Sequence, residues 1–127
     1  MTMTEKARVL REDTSVHYNC CQAVLMAAAP KLGLTEEQAA ALGAHFGSGM
    51  RCGATCGALT GALMAAGLAG KDEAAARELM RRFRETNGCT NCAELLVAAK
   101  QRGEAKKAHC DRLVYQSVEA LSELLDL

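Results

Sequence analysis

The chain is poor in the residues that build β-sheets. Aromatic residues make up 3% of its 127 residues, and both Trp and Ile are absent. Strands favour β-branched and aromatic side chains, whereas Ala and Leu, with 24 and 16 copies here, lead the helix-propensity scale. The composition therefore argues against an all-β fold and predicts an all-α fold.

An excess of charge of one sign is also missing. The 15 Lys and Arg residues balance the 15 Asp and Glu residues. Nucleic-acid-binding proteins usually carry a basic excess on one face, so we expect no nucleic-acid partner. Residues 1–13 are charged throughout and contain no apolar core of a secretion signal, so the expected location is the cytoplasm.

A long run of large apolar residues is the third absence. Residues 52–70 carry no charge, but they include five Gly, two Thr and two Cys. A membrane-spanning helix draws its insertion energy from Leu, Ile, Phe and Val. We therefore expect a buried helix here and no membrane span. The length of the chain suits a single domain over residues 1–127.

Apolar periodicity, capping residues and Gly breaks predict a single-domain bundle of about five to seven helices. Thr35 and Gln38 have the spacing of a capping box, Thr55 can cap the next helix, and Asp72 the one after it. The helix that follows Thr55 is rich in Gly and Ala and is expected to be central. The predicted ranges are about 4–29 with a break near 13–15, then 36–46, 55–68, 73–87, 91–102 and 104–124, with a loop over 47–54.

Seven cysteines are unusual for a chain of this length, and their odd number means that they cannot all pair. In a reducing compartment, clustered cysteines more often bind metal or carry redox chemistry than form structural disulfides. Four share a helix face with apolar residues at helical spacing, so we expect them to point inward to one thiol site that holds a metal centre. These four are Cys20, Cys56, Cys92 and Cys110. For any one of them, the alternative is a small buried hydrophobe.

Two of these cysteines follow predicted helix caps. The N–H groups at a helix start stabilise a thiolate, so the pKa values of Cys56 and Cys92 are expected to be lowered. Without a metal, these two would be the redox thiols. Cys21, Cys52 and Cys89 have no clear role, and the C-x-x-C from Cys89 to Cys92 stands alone, without the second motif of a zinc ribbon.

Glycines recur every four residues along the Gly/Ala-rich helix. Gly57 and Gly61 would let another helix or a cofactor approach the backbone closely. Both are candidates for contact with a cofactor, and close helix packing is the favoured alternative.

Four segments resemble, in order, the C_GCAxxG_C_C family of redox-active proteins. Its CGAxxG motif is similar to Cys56-Gly57-Ala58-Leu59-Thr60-Gly61, preceded by Gly49-Met50-Arg51. Its first segment resembles Tyr18-Asn19-Cys20, its third resembles Asn87-Gly88 with Cys92-Ala93-Glu94, and Cys110 falls at the fourth position. The resemblance implies a helical, redox-active protein that uses these four cysteines. Cys21, Cys52 and Cys89 depart from the pattern.

Three functions remain open at this level. The favoured one is an electron carrier or oxidoreductase whose four inward cysteines hold an iron–sulfur cluster, with zinc as the other metal. The second is a thiol–disulfide redox protein without a cofactor, in which the same thiols form a reversible disulfide. The third is a non-catalytic helical interaction module. The expected partner is a redox protein, and a homodimer is also an option.

Overall fold

Most helices of this chain begin directly after a residue whose side chain caps the helix N-terminus. The computed structural model describes residues 1–126, and Leu127, the end of the expected domain, lies outside them. The described residues form seven α-helices: α1 Met3–Glu12, α2 Cys20–Leu32, α3 Glu36–Gly43, α4 Gly57–Leu68, α5 Glu73–Asn87, α6 Cys92–Gln101 and α7 Lys106–Leu124. A π-type helical turn, Gly49–Gly53, precedes α4.

The all-α prediction is confirmed for residues 1–126, which contain no strand. The count of five to seven helices is slightly low, because the π-type turn makes eight helical elements where the sequence predicted a loop. Among these residues, no helix combines the length and the hydropathy that a bilayer span needs.

Capping explains most helix starts. Thr35 accepts a hydrogen bond from the Gln38 backbone, and the Gln38 side chain accepts one from Thr35, so the predicted capping box is present. Asp72 caps α5 by accepting from the Ala75 N–H at 3.0 Å. Thr55 does not cap α4, because it pairs with Asn91 in an isolated antiparallel bridge. Cys56 takes the cap position instead.

The first predicted helix is two helices. Residues 13–19 separate α1 from α2, and α2 then continues through Pro30 to Leu32. The proline is exposed and lies only two residues before the helix end, where it interrupts little of the hydrogen-bond ladder. Gly33, with φ of 72°, ends the helix in a left-handed conformation.

The hydrophobic core is centred on α2. Residues 23–29 are all buried, and α2 contacts α1, α3, α4 and α7. The Gly/Ala-rich helix α4 contacts α2, α5 and α7. That α4 is the central helix stays a prediction. The α2–α4 contact and the position of α7 beside both helices determine where the cysteines lie.

Candidate functional site

Four of the seven cysteines line one cavity. Cys20, Cys56, Cys92 and Cys110 come from the starts of α2, α4 and α6 and from the second turn of α7. The cavity has a volume of about 370 Å³, and its apolar wall includes Leu95 and Leu113. The structure therefore brings together the four thiols that helical periodicity selected.

A pair of backbone hydrogen bonds holds Cys56 beside the chain segment of Cys92. The Cys56 N–H donates to the Thr90 carbonyl at 2.8 Å, and the Cys92 N–H donates to the Ala54 carbonyl at 2.6 Å. These bonds belong to the Thr55–Asn91 bridge. Each of the two cysteines thus stands at the start of a helix, with its backbone fixed to the other segment.

A third helix start contributes Cys20, which the sequence did not mark as an N-terminal thiol. Asn19 caps α2 by accepting from the Gln22 N–H at 2.8 Å, and the Gln22 side chain accepts from the Asn19 N–H at 2.9 Å. The signal was present as Asn followed by Gln three residues later. Three helix N-termini therefore meet at the cavity, and each contributes a partial positive charge.

Cys20 and Cys110 shift each other's pKa in opposite directions. A hydrogen bond from Cys20 lowers the pKa of Cys110, and the positive charges of Arg11 and Lys106 lower it further. The same contact with Cys110, together with burial, raises the pKa of Cys20. Cys110 is therefore the first thiol of the pair to lose its proton, and the remaining proton then stays on Cys20.

The expected low pKa values of Cys56 and Cys92 are wrong. Burial raises the pKa of Cys56 to about 11, although the nearby backbone N–H groups of Ala58 and Leu59 act to lower it. Burial also raises the pKa of Cys92, as does the charge of Cys110. Desolvation disfavours a thiolate more than the helix start stabilises it here. The sequence shows helix starts, but it does not show how deeply each thiol is buried.

The charged side chains in the cavity wall are basic. Arg11, Lys106 and Lys107 line it, and within residues 1–126 no Asp or Glu does. Arg11 is 7% exposed, donates to Asp111 Oδ1 at 2.6 Å and donates to the Tyr18 carbonyl at 2.8 Å. Lys107 also pairs with Asp111, at 3.0 Å, so one carboxylate serves two of the three cations and a net positive charge remains for an anionic occupant. Composition alone could not reveal this, because the whole chain is neutral.

The motif glycines serve the α2–α4 contact. A Cβ at Gly57 would lie 2.8 Å from the Phe46 carbonyl oxygen and 3.4 Å from Cys20 Cβ, and Gly57 also lines the cavity. A Cβ at Gly61 would lie 2.9 Å from the Cys21 carbonyl oxygen. Gly61 is not part of the cavity wall. Both glycines let α4 approach α2, which brings Cys56 close to Cys20.

The other three cysteines lie outside the cavity wall. Cys21 is fully buried, and its thiol contacts the Met64 sulfur at 3.7 Å. Cys52 is exposed, with its sulfur 3.6 Å from the Gly49 carbonyl oxygen. Cys89 is half-buried next to the core. These positions supply matched controls for substitutions at the cavity.

Two histidines also line the cavity. They are His17 and His109, and the latter is 1% exposed with Nδ1 3.3 Å from Arg112. Burial lowers the pKa of His109, so it is held neutral. Within residues 1–126, no three His, Cys, Asp or Glu side chains are arranged closely enough to hold a single metal ion.

A strained turn lies at one edge of the cavity. Ser48, Met50 and Arg51 have φ values of 53°, 59° and 65°, in the left-handed region that side chains disfavour. Gly49 lies between them, and a Cβ there would be 2.7 Å from Cys92 Cβ. Ser48 lines the cavity. Strain of this kind collects at functional sites and persists only where surrounding contacts enforce it.

The described residues form an all-α protein with four cysteines in the wall of one cavity. A model of the family described as "Putative redox-active protein (C_GCAxxG_C_C)" matches residues 18–124, and the chain belongs to this family. All four cavity cysteines lie within the match, whereas α1 lies before it. The curated proteins give no match to the chain, and the solved structures give none either.

Proposed function

We propose that this protein is an electron carrier that holds an iron–sulfur cluster in the cavity lined by Cys20, Cys56, Cys92 and Cys110. The observation that carries the proposal is that four thiols from four helices line one cavity. Four cysteine thiolates are the usual ligand set of [2Fe–2S] and [4Fe–4S] clusters. When bound, such a cluster accepts and releases single electrons.

The size of the cavity supports a cluster over a single ion. A tetrahedral zinc ion needs its sulfur ligands about 2.3 Å from the metal. In residues 1–126 no three such side chains are grouped closely enough to hold one ion, whereas the four thiols line a cavity of about 370 Å³. The thiols therefore suit a group larger than one atom.

The charge of the cavity wall supports the same occupant. A cluster bound by four thiolates is anionic, and the wall carries Arg11, Lys106 and Lys107. The starts of α2, α4 and α6 add partial positive charge. These groups would hold the anionic cluster, and the leucines would form the apolar part of its surroundings.

Metal and sulfide analysis of protein prepared without oxygen tests the proposal. We expect iron and acid-labile sulfide in near-stoichiometric amounts and a reversible electron paramagnetic resonance signal. Single Cys→Ser changes at positions 20, 56, 92 and 110 should each lower the iron content. The same change at Cys52 or Cys89, and Cys21→Ala in the buried core, are the controls and should leave it unchanged. Zinc alone in the wild-type protein, or equal iron in all seven variants, would refute the proposal.

One feature favours a dithiol as the second candidate. Cys20 and Cys110 line the same cavity, and each shifts the pKa of the other, so that Cys110 is the thiol that more readily loses its proton. Oxidation would join their sulfur atoms and release two protons and two electrons to a disulfide-containing partner. Iron-free protein that loses two mass units reversibly, with loss of this change in Cys110→Ser, would support the dithiol over the cluster.

A further inference from the structure

His109 lies between two cavities. It is 1% exposed, and it lines both the cysteine cavity, which the four thiols share, and a smaller cavity of about 190 Å³. Glu104 and Arg112 belong to the wall of the smaller cavity and not to that of the cysteine cavity. The imidazole ring therefore stands between the cysteines and a cluster of charged side chains.

The Nδ1 edge of the ring faces the charged side chains. Nδ1 lies 3.3 Å from Arg112 Nη2 and 3.6 Å from Glu104 Oε1. A guanidinium only donates hydrogen bonds, so Nδ1 has to accept from Arg112. Glu104 Oε1 is too distant from Nδ1 for a hydrogen bond, and it already accepts from Arg102 at 2.9 Å and from Arg112 at 3.0 Å. These contacts leave Nδ1 without a hydrogen and place the ring hydrogen on Nε2.

The guanidinium of Arg112 is held in place by two further acceptors. Its Nε donates to Glu104 Oε2 at 3.1 Å, and its Nη1 donates to Asn87 Oδ1 at 3.4 Å. The hydrogen bond that one ring nitrogen makes determines which nitrogen of a histidine carries the hydrogen. A donor fixed beside Nδ1 therefore fixes the hydrogen on Nε2.

The Nε2 edge of the ring points away from the charged side chains, toward the cysteine cavity. In the part of the chain that the structure describes, Nε2 has no hydrogen-bond partner, because the polar contacts of the ring are made by Nδ1. Nε2 is also not a fully enclosed atom: among such side-chain nitrogen and oxygen atoms of residues 1–126, only Ser117 Oγ lacks a partner. Nε2 therefore borders accessible space, where a group bound in the cavity can reach it.

We propose that His109 donates a hydrogen bond from Nε2 to a sulfur atom of the cluster or of a cysteine that binds it. This role rests on the proposed function, since the cluster supplies the acceptor. Hydrogen bonds to the sulfur atoms are one of the factors that set the reduction potential of such a cluster. A hydrogen bond to anionic sulfur is stronger in the reduced, more negative state, so His109 raises the potential. Arg112 is a positioning residue, because it keeps the hydrogen on Nε2.

The tautomer of His109 can be measured in reduced, cluster-free protein. Two-dimensional NMR that correlates the ring nitrogens with the carbon-bound ring hydrogens distinguishes a protonated from an unprotonated nitrogen. We expect the hydrogen on Nε2 in wild type, and a mixture of tautomers in Arg112→Met, which removes the donor to Nδ1. A hydrogen on Nδ1 in wild type would overturn the proposal.

Two variants of matched length test the effect on the cluster. His109→Gln keeps an N–H donor at about the position of Nε2, whereas His109→Met has a side chain of the same length without a donor. We expect His109→Met to shift the reduction equilibrium by about tenfold, which is about 59 mV to lower potential for one electron. His109→Gln should retain most of the wild-type potential.

Iron content separates failure of this proposal from failure of the cluster. Wild-type protein without iron refutes the cluster, and the hydrogen bond to it as well. Iron in wild type with equal potentials in wild type and His109→Met overturns the role of His109 alone. Loss of iron from both variants overturns it too, because His109 would then be a ligand. Loss of iron from His109→Met, with iron kept in His109→Gln, supports the donor role.

Discussion

Arg11 brings a positive charge to the cysteine cavity from a helix that the family match does not cover. The guanidinium is fixed by Asp111 and by the Tyr18 carbonyl, and it acts on the charges of both Cys20 and Cys110. An arginine keeps its charge at every relevant pH. We therefore expect the reactivity of Cys110 to depend on α1.

The first prediction concerns thiol reactivity in reduced, metal-free protein. Only the thiolate is alkylated, so Cys110, with its lowered pKa, should react with iodoacetamide near neutral pH faster than Cys56 or Cys92, whose pKa values are raised. Arg11→Met removes the nearby positive charge, so the pKa of Cys110 should rise and its alkylation should require a higher pH. Arg11→Lys keeps the charge and should leave the pH dependence of alkylation unchanged. Peptide mass spectrometry in a background lacking Cys52 and Cys89 measures the rates.

Two results would contradict this prediction. One is faster labelling of Cys56 or Cys92 than of Cys110. The other is an Arg11→Met profile identical to that of wild type.

At the scale of one helix, α4 contains two glycines with opposite surroundings. A Cβ added to Gly61 would lie 2.9 Å from the Cys21 carbonyl oxygen and 3.1 Å from Val24 Cβ. A Cβ added to Gly67 would meet no atom within 4 Å. Both lie within the helix. The pair separates the effect of close packing from that of helix propensity.

We predict that Gly61→Ala destabilises the protein by about 1–3 kcal/mol, because the methyl group must displace the α2 backbone. Gly67→Ala should stabilise it by about 0.5–1 kcal/mol, because alanine favours a helix at an unobstructed position. Urea unfolding of both variants measures the difference. Equal effects would show that α4 does not contact α2 as closely as described.

The turn before α4 carries backbone strain at Met50. This residue is 50% exposed, and its φ is 59°, so its side chain contributes little packing while its backbone is unfavourable. We predict that Met50→Gly raises the free energy of unfolding by about 0.5–1 kcal/mol, after the entropy cost of glycine. Met50→Val should lower it, because a β-branched residue tolerates this conformation poorly. Thermal unfolding compares them, and a stabilising Val would argue against the left-handed turn.

The helices were largely predictable from local signals, and the turn was not. The capping side chains of Thr35 and Asp72 bond backbone groups three residues further on, so a short stretch of sequence contains the whole signal. Met50 and Arg51 are ordinary residues whose left-handed backbone depends on Gly49 packing against Cys92, which is remote in sequence. The grouping of the four thiols followed from periodicity, whereas their pKa directions depended on burial and on the Cys20–Cys110 contact.

For the whole molecule, binding of a cluster would link four helices. A ligand that binds the folded state and not the unfolded state adds stability, about 2.7 kcal/mol at a hundredfold excess over its dissociation constant. We predict that reconstitution with iron and sulfide raises the unfolding temperature by several degrees. Cys110→Ser should show no such rise, and Cys52→Ser should show the full rise. Differential scanning calorimetry under anaerobic conditions measures it, and a rise in Cys110→Ser would exclude this thiol as a ligand.

The cavity thiols are spread along the chain from Cys20 to Cys110, and the Thr55–Asn91 bridge joins two of their segments. During synthesis on the ribosome, the first half of the chain exposes only two of these sulfurs, and the bridge cannot close until Asn91 has emerged. The last sulfur arrives with α7. Under the proposed function, a nascent chain could bind the cluster through all four thiols only after Cys110 had emerged with α7.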